Sequence, residues 1–109
     1  MTVTPSFTAG RLTLFLRGEL DQHEARRASE RIAELIDEYL PRDCVLDLGD
    51  LSFMDSSGIA VIVKAGRHVR AIGGRLWVEN PAGQALRVID AAGLERMIPV
   101  ESGRVGGQA

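Results

Sequence analysis

The sequence predicts one α/β domain on a mixed, mostly parallel sheet, with the element order β-β-α-β-α-β-α-β. Two features carry that prediction. Short apolar and β-branched runs alternate with longer stretches whose apolar residues recur at helical spacing. Glycines and prolines fall at the junctions between them. The 109 residues suit a single core, which we place at 3–101, and the small, polar residues 102–109 read as a frayed, disordered tail.

Each element has its own signal. Leu12, Leu14 and Leu16 alternate with Thr13, Phe15 and Arg17, the period of two of a strand with unlike faces. Ala9-Gly10 before it suits a tight turn, so a short strand at Val3 to Thr8 is expected to pair with it as a hairpin. "DQHEARRASERIAELIDEYLP" places Ala25, Ala28, Ile32, Leu35, Ile36 and Tyr39 on one helical stripe. Asp21 suits the cap of that helix, Glu24 stands where a capping box wants an acid, and Pro41 closes it. "CVLDL" reads as a central strand. A second helix is expected from Ser56 to Ile72, with Ile59, Ile62, Val69 and Ile72 along one side and Gly73-Gly74 as its stop. "RLWVE" is a strand in which Trp77 reads as core. "PAGQALRVIDAAG" is a helix opened by Pro81 and closed by Gly93, and "RMIPV" is a last strand. Each helix returns the chain to a new strand, so right-handed crossovers should lay helices over at least one face.

Composition excludes several function classes. Hydrophobic residues make up 45% and charged residues 26%, ordinary for a globular chain. A net charge of -2 and a pI near 5.6 give no general attraction to nucleic acid or to an anionic membrane. The lone Cys44 rules out an internal disulfide and a four-cysteine zinc site, and it reads as a buried thiol. His23 and His68 are isolated, so no metal is expected, and no Walker or G-x-G-x-x-G motif implies a nucleotide cofactor. The basic residues Arg26, Arg27, Lys64, Arg67, Arg70 and Arg75 read as solvated faces. The first twenty residues lack a signal-peptide pattern, and the longest apolar run, Ile59 to Val63, is too short to cross a bilayer. The expected location is the cytoplasm.

The unusual stretch is "DLSFMDSSGIAVIV", residues 50–63. Asp55-Ser56-Ser57-Gly58 interrupts two apolar runs where a central strand passes into a helix. In open α/β sheets that carboxyl edge is where ligands and partners bind, and a helix start presents unpaired N–H groups. The plain role is a helix cap by Asp55 or Ser56, worth ~1 kcal/mol. Two serines and an acid exceed that need, and Phe53-Met54 in front form an apolar shoulder. An Asp21–His23–Ser56 triad is conceivable, because the first helix leaves from the same edge. The turn is not G-x-S-x-G, however, and no glycine-rich loop supplies an oxyanion hole, so the chain is not expected to be an enzyme.

"GELDQHEA" (18–25), "LGDLSFMDSSGIAVIV" (48–63), "IGGRLWVENP" (72–81) and "LRVIDAAGLERMI" (86–98) together resemble the STAS-domain family. The likeness spans about residues 3–101 and is greatest to its bacterial anti-sigma factor antagonists, in particular those of the sporulation anti-sigma F branch. It implies a STAS fold and a partner-switching role. The unmodified antagonist would bind an anti-sigma factor with GHKL-type serine kinase activity and free a sigma factor for transcription. Phosphorylation of the serine after the aspartate, here Ser56, would end binding, and a PP2C-type phosphatase would reset it. Asp21, Asp55, Ser56, Ser57 and Gly58 are then the expected partner-binding residues, with Gly58 letting the partner's backbone approach and Ser57 the structural serine. Relatives often carry threonine at the place of Ser57, and glycine at the places of Ala60 and Lys64. The alternatives are a STAS module of another stress pathway, or one that senses a small molecule or nucleotide.

Overall fold

A computed structural model of the chain describes residues 1–101. The expected tail, 102–109, lies outside the described residues. The elements are β1 (Thr2–Thr8), β2 (Arg11–Leu20), α1 (Ala25–Tyr39), β3 (Asp43–Met54), α2 (Ser56–Ala71), β4 (Arg75–Glu79), α3 (Gly83–Ala92), a 3-10 turn at Leu94–Arg96, and β5 (Val100–Glu101). The five strands lie in sequence order, with β1 antiparallel to β2 and every later pairing parallel.

That order decides where the helices go. Each crossover steps one strand in the same direction, so right-handed connections carry all three helices to one face. The side chains agree. Leu12, Leu14, Leu16 and Leu20 of β2, Cys44, Leu46 and Leu48 of β3, and Leu76 and Val78 of β4 share one core with the inner stripes of α1, α2 and α3. The stripe expected for α1 holds, with Ala28, Ile32, Leu35 and Ile36 buried. In α2, Ile62 and Val69 are buried as expected. Ile72 is 41% exposed, because the helix has ended and it forms the C-cap.

Among the described residues the opposite face carries no helix, and Trp77 belongs to it. Its neighbours Leu76 and Val78 point into the core, so the strand's period of two sends Trp77 the other way. The reading of Trp77 as core is therefore corrected. Its half-buried ring lies beneath the guanidinium groups of Arg11 and Arg75, at 5.0 and 5.6 Å, and its N–H donates to Glu79 at 2.8 Å. Val45 pairs with both Thr13 and Trp77 in register, and is 1% exposed. Arginine stems and one indole do here what a helix layer does on the other side.

Three boundaries also move. β3 does not stop at the end of "CVLDL". It continues to Met54 because β2 keeps pairing with it, through irregularities between Phe15 and Arg17 and between Gly18 and Glu19. Pro81 does not open α3: Asn80 turns at φ 61, Ala82 is extended, and the helix starts at Gly83. "RMIPV" is mostly not a strand. Gly93, at φ 66, ends α3 as expected and starts the 3-10 turn. The amides of Met97 and Ile98 both turn back to the Leu94 carbonyl, which leaves only Val100 and Glu101 for the ladder.

Candidate functional site

The site is the carboxyl rim formed by the ends of β2 and β3. Asp55 is the N-cap of α2, in an extended backbone conformation, and its carboxylate accepts the Ser57 N–H at 2.8 Å. The cap is thus Asp55 and not Ser56. Its own N–H donates to the Leu20 carbonyl at 3.4 Å and its carbonyl accepts from Gly58 at 2.9 Å, so the turn is bonded to β2 behind it and to the helix ahead. Ser56, the first residue of α2, is exposed, whereas Ser57 is half-buried. The two serines therefore differ in what can reach them.

Phe53-Met54, expected as an exposed shoulder, divides by strand parity: Phe53 is 38% exposed and Met54 is 0% exposed. Gly58 is buried rather than open to a partner. A Cβ at Gly58 would stand 2.3 Å from Met54 Cγ, 2.7 Å from its Sδ and 3.2 Å from Leu20 Cδ2. The glycine lets the first turn of α2 sit directly on Met54, which corrects the expectation that it makes room for a partner's backbone.

Asp21 lies on the neighbouring loop, half-buried, and accepts the N–H groups of His23 and Glu24 at 3.0 Å each. It caps a turn that precedes α1. The N-cap of α1 itself is Glu24, with no side-chain cap hydrogen bond, so of the expected capping box only the half from Asp21 to the Glu24 N–H forms. Asp21 meets His23 through the backbone N–H rather than the ring, which is not the relay a triad requires. Beside the rim, Ala25, Arg26, Ser29, Ser57, Ala60 and Lys64 line an open groove between α1 and α2.

One rim contact has no local sequence signal. The Met54 N–H donates to Gln84 Oε1 at 2.8 Å, across thirty residues. The chemistry elsewhere is quiet. Burial pushes the Cys44 thiol from 9.0 up to about 12, so it keeps its proton and stays unreactive. Among the described residues no group of three His, Cys, Asp or Glu side chains is placed to hold a metal ion. No described helix is long and apolar enough to cross a membrane.

Comparison with known proteins is consistent with this geometry. The profile of the STAS domain matches residues 1–104. The anti-sigma-B factor antagonist of Bacillus subtilis (strain 168) is 32% identical over 92 residues, covering 84% of this chain and 83% of that one. The anti-sigma F factor antagonist of Paenibacillus polymyxa is 32% identical over 96 residues, covering 88% and 82%. Among solved structures, the anti-sigma factor antagonist SpoIIAA in its unphosphorylated form superposes with a TM-score of 0.76 at 24% identity, over 94% of this chain and 90% of that one. Its phosphorylated form, from Bacillus, gives 0.68 at 25% identity over 94% and 93%.

Proposed function

The chain belongs to the STAS-domain family, and on that premise we propose that it is an anti-sigma factor antagonist switched by phosphorylation of Ser56. Unphosphorylated, it binds an anti-sigma factor that carries GHKL-type serine kinase activity, and the sigma factor is released for transcription. The kinase then transfers the γ-phosphoryl group of ATP to Ser56 Oγ, the hydroxyl proton passes to a base of the kinase, and ADP leaves. A PP2C-type phosphatase restores the hydroxyl. Catalysis belongs to these partners, the chain needs no cofactor, and the setting is the cytoplasm.

The observation that carries this reading is the exposure of Ser56 at the first position of α2, beside a carboxylate already fixed by the Ser57 amide. Phosphoserine brings about -1.5 to -2 charges at neutral pH. A helix N-terminus favours such an anion by only about 0.3–1 kcal/mol, so the fold tolerates it. Reversing a bound population from 99:1 to 1:99 needs about 5.5 kcal/mol, far more than the helix end can contribute. Burying an unpaired dianion next to Asp55 in an interface supplies several kcal/mol. The switch therefore works through the contact with the partner.

Asp21, Asp55, Ser56 and Ser57 form the partner-facing rim, and Gly58 serves it from beneath. Antagonists of two different sigma factors match at the same 32% identity, so identity does not choose the pathway. Ser57 in place of threonine favours the sporulation branch. The test mixes the purified chain with an anti-sigma F kinase or an anti-sigma B kinase, adds ATP and maps the product by mass spectrometry. Phosphate on Ser56 with the F-type kinase is expected. Phosphate on Ser57, or on neither serine, would remove the assignment, and preference for the B-type kinase would move the chain to the stress pathway.

A further inference from the structure

β3 outlasts its neighbour on one side only. β4 ends at Glu79, which pairs with Asp47, so β3 beyond Asp47 has no strand partner there. On the other side β2 stays paired to the end, Leu20 with Met54. Met54 is fully buried, and a buried peptide N–H without an acceptor is costly. Gln84 supplies the acceptor: it is the second residue of α3, half-buried, and its Oε1 lies 2.8 Å from the Met54 nitrogen.

We infer that Gln84 is a positioning residue for the phosphoacceptor turn, a role that rests on the reading of Ser56 above. Met54 directly precedes the N-cap Asp55, and its side chain fills the space that Gly58 leaves open. The turn's backbone link back to β2, from the Asp55 N–H to the Leu20 carbonyl, is long, at 3.4 Å. Gln84 thus fixes the residue on which the first turn of α2 rests. Through it the start of α3 is tied to the height and direction at which Ser56 is presented.

The test begins with the chain alone, by amide hydrogen exchange followed by NMR. Gln84→Ala removes the acceptor, whereas Gln84→Glu keeps an oxygen of the same reach. In Gln84→Ala the Met54, Asp55 and Ser57 amides should exchange about tenfold faster while the core amides of α1 do not change. Gln84→Glu should remain within about twofold of wild type, a rescue that simple loss of packing would not give. Three results would overturn the inference: unchanged turn amides in Gln84→Ala, equally fast exchange in Gln84→Glu, or an acceleration shared by α1. The second arm measures the initial rate of Ser56 phosphorylation by the kinase. Slowing in Gln84→Ala with recovery in Gln84→Glu supports the role, and equal rates in all three proteins refute it. If wild type is not phosphorylated at all, the switch itself fails and the exchange experiment still decides the clamp.

Discussion

Gly58→Ala puts a methyl group where Met54 already is. The added carbon would lie 2.3 Å from Met54 Cγ and 2.7 Å from Sδ, against an ordinary contact of roughly 3.5–4 Å. Met54 cannot swing into solvent cheaply, because it is 0% exposed, and the added carbon would also stand 3.2 Å from Leu20 Cδ2. Forcing a methyl into a filled core costs about 1–3 kcal/mol. Replacing glycine by alanine within a helix returns about 0.5–1 kcal/mol. The difference is a net loss of up to about 2.5 kcal/mol, centred on about 1 kcal/mol, which in a domain of this size lowers Tm by roughly 5 °C, and by about 11 °C at most. Thermal and urea unfolding measure it directly. The same substitution in a Met54→Ala background should be neutral or stabilising, since the obstacle is gone. An unchanged or raised Tm in the single variant would refute the packing argument, and so would strict additivity in the double variant.

Ser56→Asp should melt within a few degrees of wild type yet bind the anti-sigma kinase poorly, while Ser56→Ala should bind it and resist release by ATP; a large loss of folding in Ser56→Asp would contradict a surface switch. Asp55→Ala loses the cap on Ser57 and should cost about 0.5–2 kcal/mol in urea unfolding, a fall that an unchanged midpoint would deny. Cys44 ionises near 9.0 when exposed and near 12 when buried, so its neutral form contributes stability that is full below pH 9 and is lost as pH rises toward 12. Unfolding curves of wild type and Cys44→Ala should converge across that window, and a constant difference would rule the buried thiol out as the source.

Much of the scaffold was legible because its signals are local. The α1 stripe, the hairpin at Ala9-Gly10, and the stops at Gly73 and Gly93 each depend on a few adjacent residues. The rim motif was equally plain, since a strand-to-helix junction needs a cap and Asp55 is one. What stayed hidden depends on distant partners. "GDLSFM" looks like a turn followed by a shoulder until β2 is present to hold it extended. Gly58 looks free until Met54 is placed beneath it, and nothing near Gln84 announces a bond to residue 54. Trp77 is a different case: Leu76 and Val78 on either side already carried its orientation, but large aromatic residues invite a core assignment.

The same contacts that hid from the sequence explain why charge at Ser56 should be read by a partner instead of being absorbed. A loose turn could relieve a new dianion by rotating it away or by moving Asp55. This turn has little room to do either: the Asp55 carboxylate accepts the Ser57 amide, Gly58 rests on Met54, and the Met54 amide is bonded to Gln84. Asp55 would therefore stay next to a phosphate on Ser56, and two like charges would remain on one rim, with solvent as their main relief. A docking partner removes that solvent, so the repulsion grows as the interface closes. On the proposed switch, rigidity beneath the serine would convert a modification tolerated by the fold into one that the complex cannot accept. Loosening the support, by Gln84→Ala or Gly58→Ala, should then weaken discrimination between the phosphorylated and bare forms more than it weakens binding of the bare form. Affinities of both forms for the anti-sigma kinase, measured by calorimetry, decide this, and an unchanged ratio in both variants would show that the rim's rigidity has no part in the switch.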